Sequence, residues 1–100
     1  MAQLSFAYGL LFMTSGVSRA IEQNYRFGEF VHNSIKRHLN CDFGEIDPED
    51  KGYNEQAIIH GSRIFSVYVS NLNKENDPSK IWIITEADRS STTVLFPNEY

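Results

Sequence analysis

The spacing of apolar residues in this chain changes at Gly61. Between Phe27 and Leu39 they recur at steps of three and four residues, which is the period of one face of an amphipathic helix. After Gly61 the pattern has a period of two, as in "RIFSVYV", which is typical of a strand. Helical segments followed by strands indicate an α+β fold. A length of 100 residues suits one modest core, so residues 1–100 are predicted to form a single domain.

Two helices are predicted in the first 40 residues. The pair Thr14-Ser15 is a suitable N-cap for a first helix over "GVSRAIEQN". Residues 4–13, which precede it, are apolar without a helical period and are predicted to form a buried strand or the start of that helix. The second helix, "YRFGEFVHNSIKRHLN", contains Gly28, where it is expected to bend or begin. Its apolar face consists of Phe27, Phe30, Val31, Ser34, Ile35, His38 and Leu39.

A third helix is predicted between two strong local signals. Asp47 is a good N-cap and Pro48 fits the first helical position, while Gly61 is a C-terminal stop. The inward-facing residues are predicted to be Tyr53 and Ala57, with Ile58 or His60 as further candidates.

Three strands are predicted after Gly61, in "RIFSVYV", "IWIIT" and "TTVLFP". The polar turns "SNLNKENDPSK" and "EADRSS" join them in chain order. The complete fold prediction is therefore N-terminal helices packed on a C-terminal three-stranded antiparallel β-meander. Trp82 and Ile84 point opposite to Ile81 and Ile83, so both faces of the central strand are apolar. Since three helices can cover only one face, either the N-terminal segment or another molecule covers the second, and a homodimer is expected.

Charge and cysteine content exclude several classes of protein. The formal net charge is −4, whereas a general nucleic-acid binder needs a basic patch, so direct nucleic-acid binding is not expected. An acidic surface suits docking onto a basic protein. Cys41 is the single cysteine, which rules out a disulfide within the chain and favours the cytoplasm. No apolar run approaches the ~18 residues of a membrane span, and the apolar start lacks the basic region of a signal peptide.

Five carboxylates lie within the nine residues 42–50, which include the start of the third helix. The ordinary interpretation is a helix N-terminus whose acids match the helix dipole. A second interpretation is docking to a basic partner, through Asp42, Glu45 and Asp47 as candidate binding residues. A metal cage needs several converging oxygens, and this spacing lacks the pattern of a calcium loop, so neither a metal nor another cofactor is expected.

The turn between the last two strands contains an unusual set of polar residues. One interpretation is a solvated turn, and another is an anion site in which Arg89 acts as a bidentate anchor aided by nearby hydroxyls. A third is that Arg89 ties this hairpin to the acidic segment 42–50. The candidate binding residues are Glu86, Asp88, Arg89, Thr92 and Thr93.

Catalytic chemistry has little support in the sequence. Cys41 follows His38 by three residues, but no third group is evident that would orient the histidine or lower the thiol pKa. The serines lack a nucleophile-elbow motif. No catalytic residue is predicted, and the chain is not expected to be an enzyme.

The final segment, "KIWIITEADRSSTTVLFPNEY", resembles the end of a family of short proteins carried by bacterial mobile elements and phages. That family shares the closing pattern W-I-I-T-E-A-D-R-S-x-T-T-V-L-x-P-x-E-Y. An upstream stretch similar to G-D-x-G-D-x-x-x-E-D is present as "NCDFGEIDPEDKGYN", with Cys41-Asp42 in place of Gly-Asp and Glu45 in place of the second Asp. The likeness covers roughly residues 34–100 and does not by itself supply an activity.

The resemblance implies a role in phage or plasmid biology, where small acidic proteins often block host defence systems. The expected function is counter-defence in the bacterial cytoplasm: binding and inhibition of a host defence protein, such as a CRISPR effector. One alternative is sequestration of a nucleotide signal through Arg89 and the hydroxyls. The other is a small metal-dependent hydrolase.

Overall fold

The structure, a computed structural model, describes residues 5–70 and 80–100. Most of the predicted turn "SNLNKENDPSK" lies outside the described residues. A short strand precedes three helices, and three further strands and a 3₁₀ turn follow. The elements are β1 Leu10–Met13, α1 Ser15–Gln23, α2 Tyr25–Leu39, α3 Pro48–His60, β2 Ile64–Val69, β3 Lys80–Thr85, β4 Ser91–Leu95 and the 3₁₀ helix Pro97–Glu99.

The strands form one mixed sheet in the order β1-β4-β3-β2. β2, β3 and β4 are antiparallel neighbours, whereas β1 pairs with β4 in parallel, from Leu10↔Ser91 to Met13↔Val94. The α+β class is therefore right, but the predicted three-stranded antiparallel meander is wrong. The fourth strand comes from the N-terminal segment, whose partner lies about 80 residues further along the chain. Local periodicity carries no information about such a pairing.

The main core lies between one face of the sheet and helices α1 and α2. The predicted cap at Thr14 is confirmed, because its hydroxyl accepts a hydrogen bond from the Val17 amide at 3.3 Å. α2 has its own cap in Asn24 and runs through Gly28, where the helix passes close to Ile21 of α1. The buried residues of this core are Val17, Phe27, Val31, Tyr68, Ile81, Ile83 and Val94.

α3 begins and ends where the sequence predicted. The Asp47 carboxylate accepts from the Asp50 amide at 2.8 Å, and Gly61 adopts a left-handed conformation with φ 78°. The predicted inward position of Tyr53 is wrong, since this ring is 73% exposed. The predicted inward position of Ala57 is confirmed, and the helix also buries Asn54, a polar residue that apolar periodicity does not indicate.

The outer edge of β2 is covered by two other parts of the chain. The Asn54 side chain donates to the Phe65 carbonyl at 2.6 Å and accepts from the Phe65 amide at 3.1 Å. Beside it, the Val67 amide donates to Phe43 and the Glu45 amide donates to Val67. These bonds satisfy main-chain groups that an edge strand would otherwise leave open.

Within the described ranges, no helix is long and apolar enough to cross a membrane.

Candidate protein-binding surface

The two faces of the sheet are covered to different degrees. The face under α1 and α2 carries Ile81, Ile83 and Val94, all fully buried. The opposite face, called the second face here, carries a row of neighbours across all four strands. The register aligns Phe12, Thr93, Ile84 and Phe65 in that row. Phe12 is 50% exposed and Phe65 and Thr93 are half-buried, so this apolar face is only partly covered.

A cleft of about 250 Å³ lies at the β2 end of the second face. Three aromatic rings form it: Phe65 and Trp82 meet edge-on at 5.0 Å between centroids, and Trp82 and Tyr100 at 5.7 Å. We call it the aromatic cleft, and its lining residues are Arg63, Phe65, Trp82, Ile84 and Tyr100. Two larger hollows, of about 340 and 350 Å³, lie along α3 and between α1 and α2, but each has a single tyrosine and no other large aromatic ring in its lining.

Arg63 gives the aromatic cleft a fixed positive charge. Its guanidinium donates to the Tyr100 hydroxyl and to the Glu86 carboxylate, the latter at 3.2 Å. The hydrogen bond to Tyr100, together with the negative charge of Glu86, raises the pKa of Arg63 above its ordinary value, which is already high. The Arg63–Glu86 pair is about half exposed and contributes little to stability. The cleft therefore offers aromatic walls for an apolar side chain and, at its rim, the Arg63–Glu86 ion pair for a polar group beside it.

In the part of the chain that the structure describes, no strand pairs with the outer edge of β1, so this edge is open, in contrast to the covered β2 edge. Its side chains are all large and apolar, with exposed fractions between 37% and 67%. No charged residue occurs between residues 5 and 18, so the strand lacks the lysines that usually block an edge. The strand predicted as one possibility for residues 4–13 is therefore present as Leu10–Met13, but its predicted burial is wrong. We call Leu10–Met13 the β1 edge.

Arg89 lies in the turn between β3 and β4, but its guanidinium is occupied by main-chain oxygens. It donates to the carbonyls of Ser62 at 2.7 Å and Ala57 at 3.0 Å, and to those of Glu86 and Ala87 within its own turn. These bonds hold the turn against the C-terminal end of α3. They also fix Arg89 at φ 62°, a left-handed conformation that costs energy for a residue other than glycine. The geometry favours a structural tie over an anion site, although the tie reaches the end of α3 rather than the acidic segment.

The other candidate residues of the hairpin do not converge on one pocket. Glu86 pairs with Arg63. A hydrogen bond from the Ser90 side chain, together with one from the Ser90 amide at 2.9 Å, lowers the pKa of the exposed Asp88 carboxyl. Thr92 is buried on the face under the helices, whereas its neighbour Thr93 lies on the second face. Adjacent strand residues point to opposite faces, so the two hydroxyls cannot act on the same ligand.

The acidic candidates have separate local roles. Asp42 accepts two hydrogen bonds from Arg37, at 2.8 and 3.2 Å, and this pairing lowers the pKa of the Asp42 carboxyl. Asp47 caps α3, and Glu45 is exposed beside the bridge to β2. In the part of the chain that the structure describes, no group of three or more histidine, cysteine or acidic residues could hold a metal ion.

A chain of buried polar side chains runs through the core, and the sequence did not predict it. The fully buried His38 bonds Ser66 through Nδ1 at 2.6 Å and Thr85 through Nε2 at 2.9 Å. Thr85 bonds Thr92 at 2.7 Å, and Thr92 donates to the Tyr8 carbonyl at 2.8 Å. Because the Thr92 proton is used on Tyr8, Thr85 donates to Thr92 and His38 donates from Nε2. The sequence signal that could have indicated this chain of side chains is a histidine on the apolar face of α2, combined with hydroxyl residues on the strands that face this helix.

This arrangement places a serine next to a histidine but closes the pair to substrates. Ser66 and His38 are both fully buried, and Phe6 packs edge-on against the imidazole at 5.3 Å. Burial lowers the pKa of His38 to about 4, so the imidazole is neutral at pH 7. Burial also raises the pKa of the Cys41 thiol, with help from Glu55, which opposes thiolate chemistry there.

No family model, no curated protein and no solved structure matches this chain. The resemblance of its C-terminal segment to proteins of mobile elements therefore stays a prediction.

Proposed function

We propose that this chain is a non-catalytic protein-binding domain that anchors its partner in the aromatic cleft. On the resemblance of its C-terminal segment, the partner is a host defence protein of the bacterial cytoplasm, such as a CRISPR effector, and binding blocks it. The observation that carries the proposal is the cleft itself, which combines three rings with an arginine on a partly covered sheet face.

The residue types in the cleft are those that dominate binding energy in protein interfaces. Tryptophan, tyrosine and arginine are enriched among interface hot spots, which are compact apolar pockets surrounded by polar residues. Here Trp82 and Phe65 form the walls, Tyr100 is the outer ring, and the Arg63–Glu86 pair forms a polar rim. An apolar side chain of the partner fits this arrangement better than a charged small molecule.

The net charge of the chain indicates what kind of surface its partner presents. With a net charge of −4, the protein is attracted to a basic surface, and proteins that bind nucleic acid present such surfaces. The exposed acids Glu45, Glu49 and Asp50 form no ion pair among the described residues. We therefore propose a basic partner that inserts an apolar residue into the cleft.

Neither alternative function receives a specific supporting observation. Sequestration of a nucleotide signal needs the Arg89 guanidinium, whose Nη1 and Nη2 atoms already donate to four main-chain oxygens. A metal-dependent hydrolase needs converging ligands, and the described residues contain no such group.

The experiment is a comparative capture from bacteria that carry active defence systems. The bait carries its tag at the N-terminus, so that the end near Tyr100 is unmodified. Tyr100→Ala removes the outer ring of the cleft, and Tyr25→Ala is the matched control, because that tyrosine is similarly exposed but lies on α2. We expect one basic protein to be captured by wild type and the control, and at least tenfold less by Tyr100→Ala.

The captured protein is then purified and its defence activity is measured with and without the chain. Inhibition by wild type and Tyr25→Ala, but not by Tyr100→Ala, is the expected result. Equal capture by all three baits would place the interface elsewhere and overturn the proposal. Capture without inhibition would overturn the counter-defence role while leaving the cleft as a binding site.

A further inference from the structure

We infer that the β1 edge binds a second copy of this chain, in antiparallel pairing about a two-fold axis at Phe12. The result is a dimer with one continuous eight-stranded sheet. This inference uses the edge strand rather than the aromatic cleft, so it does not depend on the proposed function.

The main chain of β1 shows which groups are open to a partner. The Leu10 amide donates to Ser90 at 3.0 Å and the Thr14 amide donates to Val94 at 3.1 Å, so these residues direct their main-chain groups towards β4. Main-chain groups alternate in direction along a strand. Leu11 and Met13 therefore direct one amide and one carbonyl each towards the open side, which gives two donors and two acceptors in a row.

These four groups match a second copy in one register. If Phe12 lies opposite Phe12 of the second copy, Leu11 lies opposite the second copy's Met13, and each such pair exchanges two hydrogen bonds. All four open groups of both strands are then used. The register shifted to centre on Leu11 would require Gly9 as the outer partner, but Gly9 has φ 65° and is not extended. Of these two registers, only the one centred on Phe12 pairs all four open groups without using Gly9.

A second copy also fits the charge and the limits of the sheet. Two molecules of net charge −4 repel each other, yet residues 5–18 carry no charged side chain that would face its equivalent. The opposite edge of the sheet, at β2, is covered by Asn54 and the segment 43–45, so pairing cannot continue beyond two copies. One open apolar edge and one covered edge favour a closed dimer over a fibre.

The dimer has a consequence for the second face. Phe12 lies in the same cross-strand row as Thr93, Ile84 and Phe65. The paired Phe12 rings would occupy the centre of the joined face, with an aromatic cleft on either side of the axis. The two clefts would then face the same direction and be available to one partner.

A cysteine scan tests the register directly. Opposite residues of a non-hydrogen-bonded pair lie about 4.5 Å apart at Cα, which permits a disulfide. Phe12→Cys is therefore expected to form a covalent dimer on mild oxidation, and peptide mapping should find a bond between the two introduced cysteines. Leu11→Cys is the control, because its equivalents would be offset by two residues, roughly 7 Å along the strands. Wild type shows the contribution of Cys41.

Light scattering at tens of micromolar tests the dimer without any cysteine. Wild type and Ile59→Lys, which changes an exposed apolar residue on α3, should have the mass of a dimer. Phe12→Lys places two like charges at the axis and should raise the dissociation constant at least tenfold. A monomeric wild type, or equal cross-linking of Phe12→Cys and Leu11→Cys, would overturn the inference. A wild-type protein that stays monomeric but requires Phe12 to capture its partner would also overturn the inference, because the β1 edge would then bind that partner rather than a second copy.

Discussion

At the scale of single residues, Arg89 is the clearest case of a side chain whose role depends on its partners. Its four hydrogen bonds end on main-chain oxygens, and a charged donor contributes about 1.5–3 kcal/mol per hydrogen bond when buried, less when half exposed. We expect Arg89→Ala to lower the free energy of unfolding by about 2 kcal/mol in urea denaturation. Arg89→Lys should not restore it, because a single ammonium cannot bridge Ser62 and Ala57 as the guanidinium does.

The matched control for this prediction is Arg19→Ala. Arg19 is an exposed arginine on α1, so its loss should change the free energy of unfolding by less than about 0.5 kcal/mol. An unchanged stability of Arg89→Ala would show that the turn holds without its arginine and would reopen an anion-binding role.

His38 makes the stability of the fold dependent on pH. Burial lowers its pKa from the ordinary 6.5 to about 4, so between these values the unfolded chain binds more protons than the folded one. Stability contributed by the neutral imidazole is complete above pH 6.5 and is lost progressively as pH falls to about 4. The shift corresponds to a loss of roughly 3 kcal/mol, measurable by urea denaturation across this range.

Two variants separate His38 from an exposed histidine. His32→Gln, at an exposed position, should keep the pH dependence, while His38→Gln should be less stable at pH 7 and lose most of the slope between pH 6.5 and 4. A wild-type protein equally stable at pH 7 and pH 4.5 would contradict the neutral, buried imidazole.

At the scale of elements, the sequence predicted those that are determined locally. α3 was predicted at both ends because Asp47 and Gly61 act on groups within a few residues of themselves. β1 was not recognised as an exposed parallel strand, because its neighbour β4 lies at the other end of the chain. For the same reason the sequence suggested an apolar second face through Trp82, but not the aromatic cleft that Tyr100 and Arg63 complete there.

Asn54 shows how a single polar side chain covers part of the edge of the sheet. It is buried and satisfies both the amide and the carbonyl of Phe65 on the β2 edge. Asn54→Ala leaves two main-chain groups without partners, and each costs about 1–3 kcal/mol. We expect a loss of about 3 kcal/mol in urea denaturation and growth of larger assemblies in light scattering, because the second edge becomes open. Asn33→Ala, at an exposed position of α2, should show neither change.

At the scale of the whole molecule, the two edges of the sheet have opposite properties, and this asymmetry limits what the protein can assemble into. In the dimer inferred above, the open β1 edge would extend the sheet once, and the covered β2 edge would end it. Either face of such a dimer would be larger than that of one copy, but α1 and α2 cover the first face, whereas the second face is only partly covered. A partner of the dimer is therefore expected to bind there.

Charge and shape should act on different steps of partner binding. The exposed acids Glu49 and Asp50 act over distance, so neutralising both as Glu49→Gln and Asp50→Asn should lower the association rate about threefold at low salt, with little effect at high salt. Tyr100→Ala should instead raise the dissociation rate at least tenfold at every salt concentration, because it removes an anchor in contact with the partner. Surface-based kinetics with the captured partner measure both, and Glu22→Gln on α1 is the control for a charge far from the second face. If the double variant changed dissociation rather than association, the acids would contact the partner directly, and α3 rather than the aromatic cleft would be the interface.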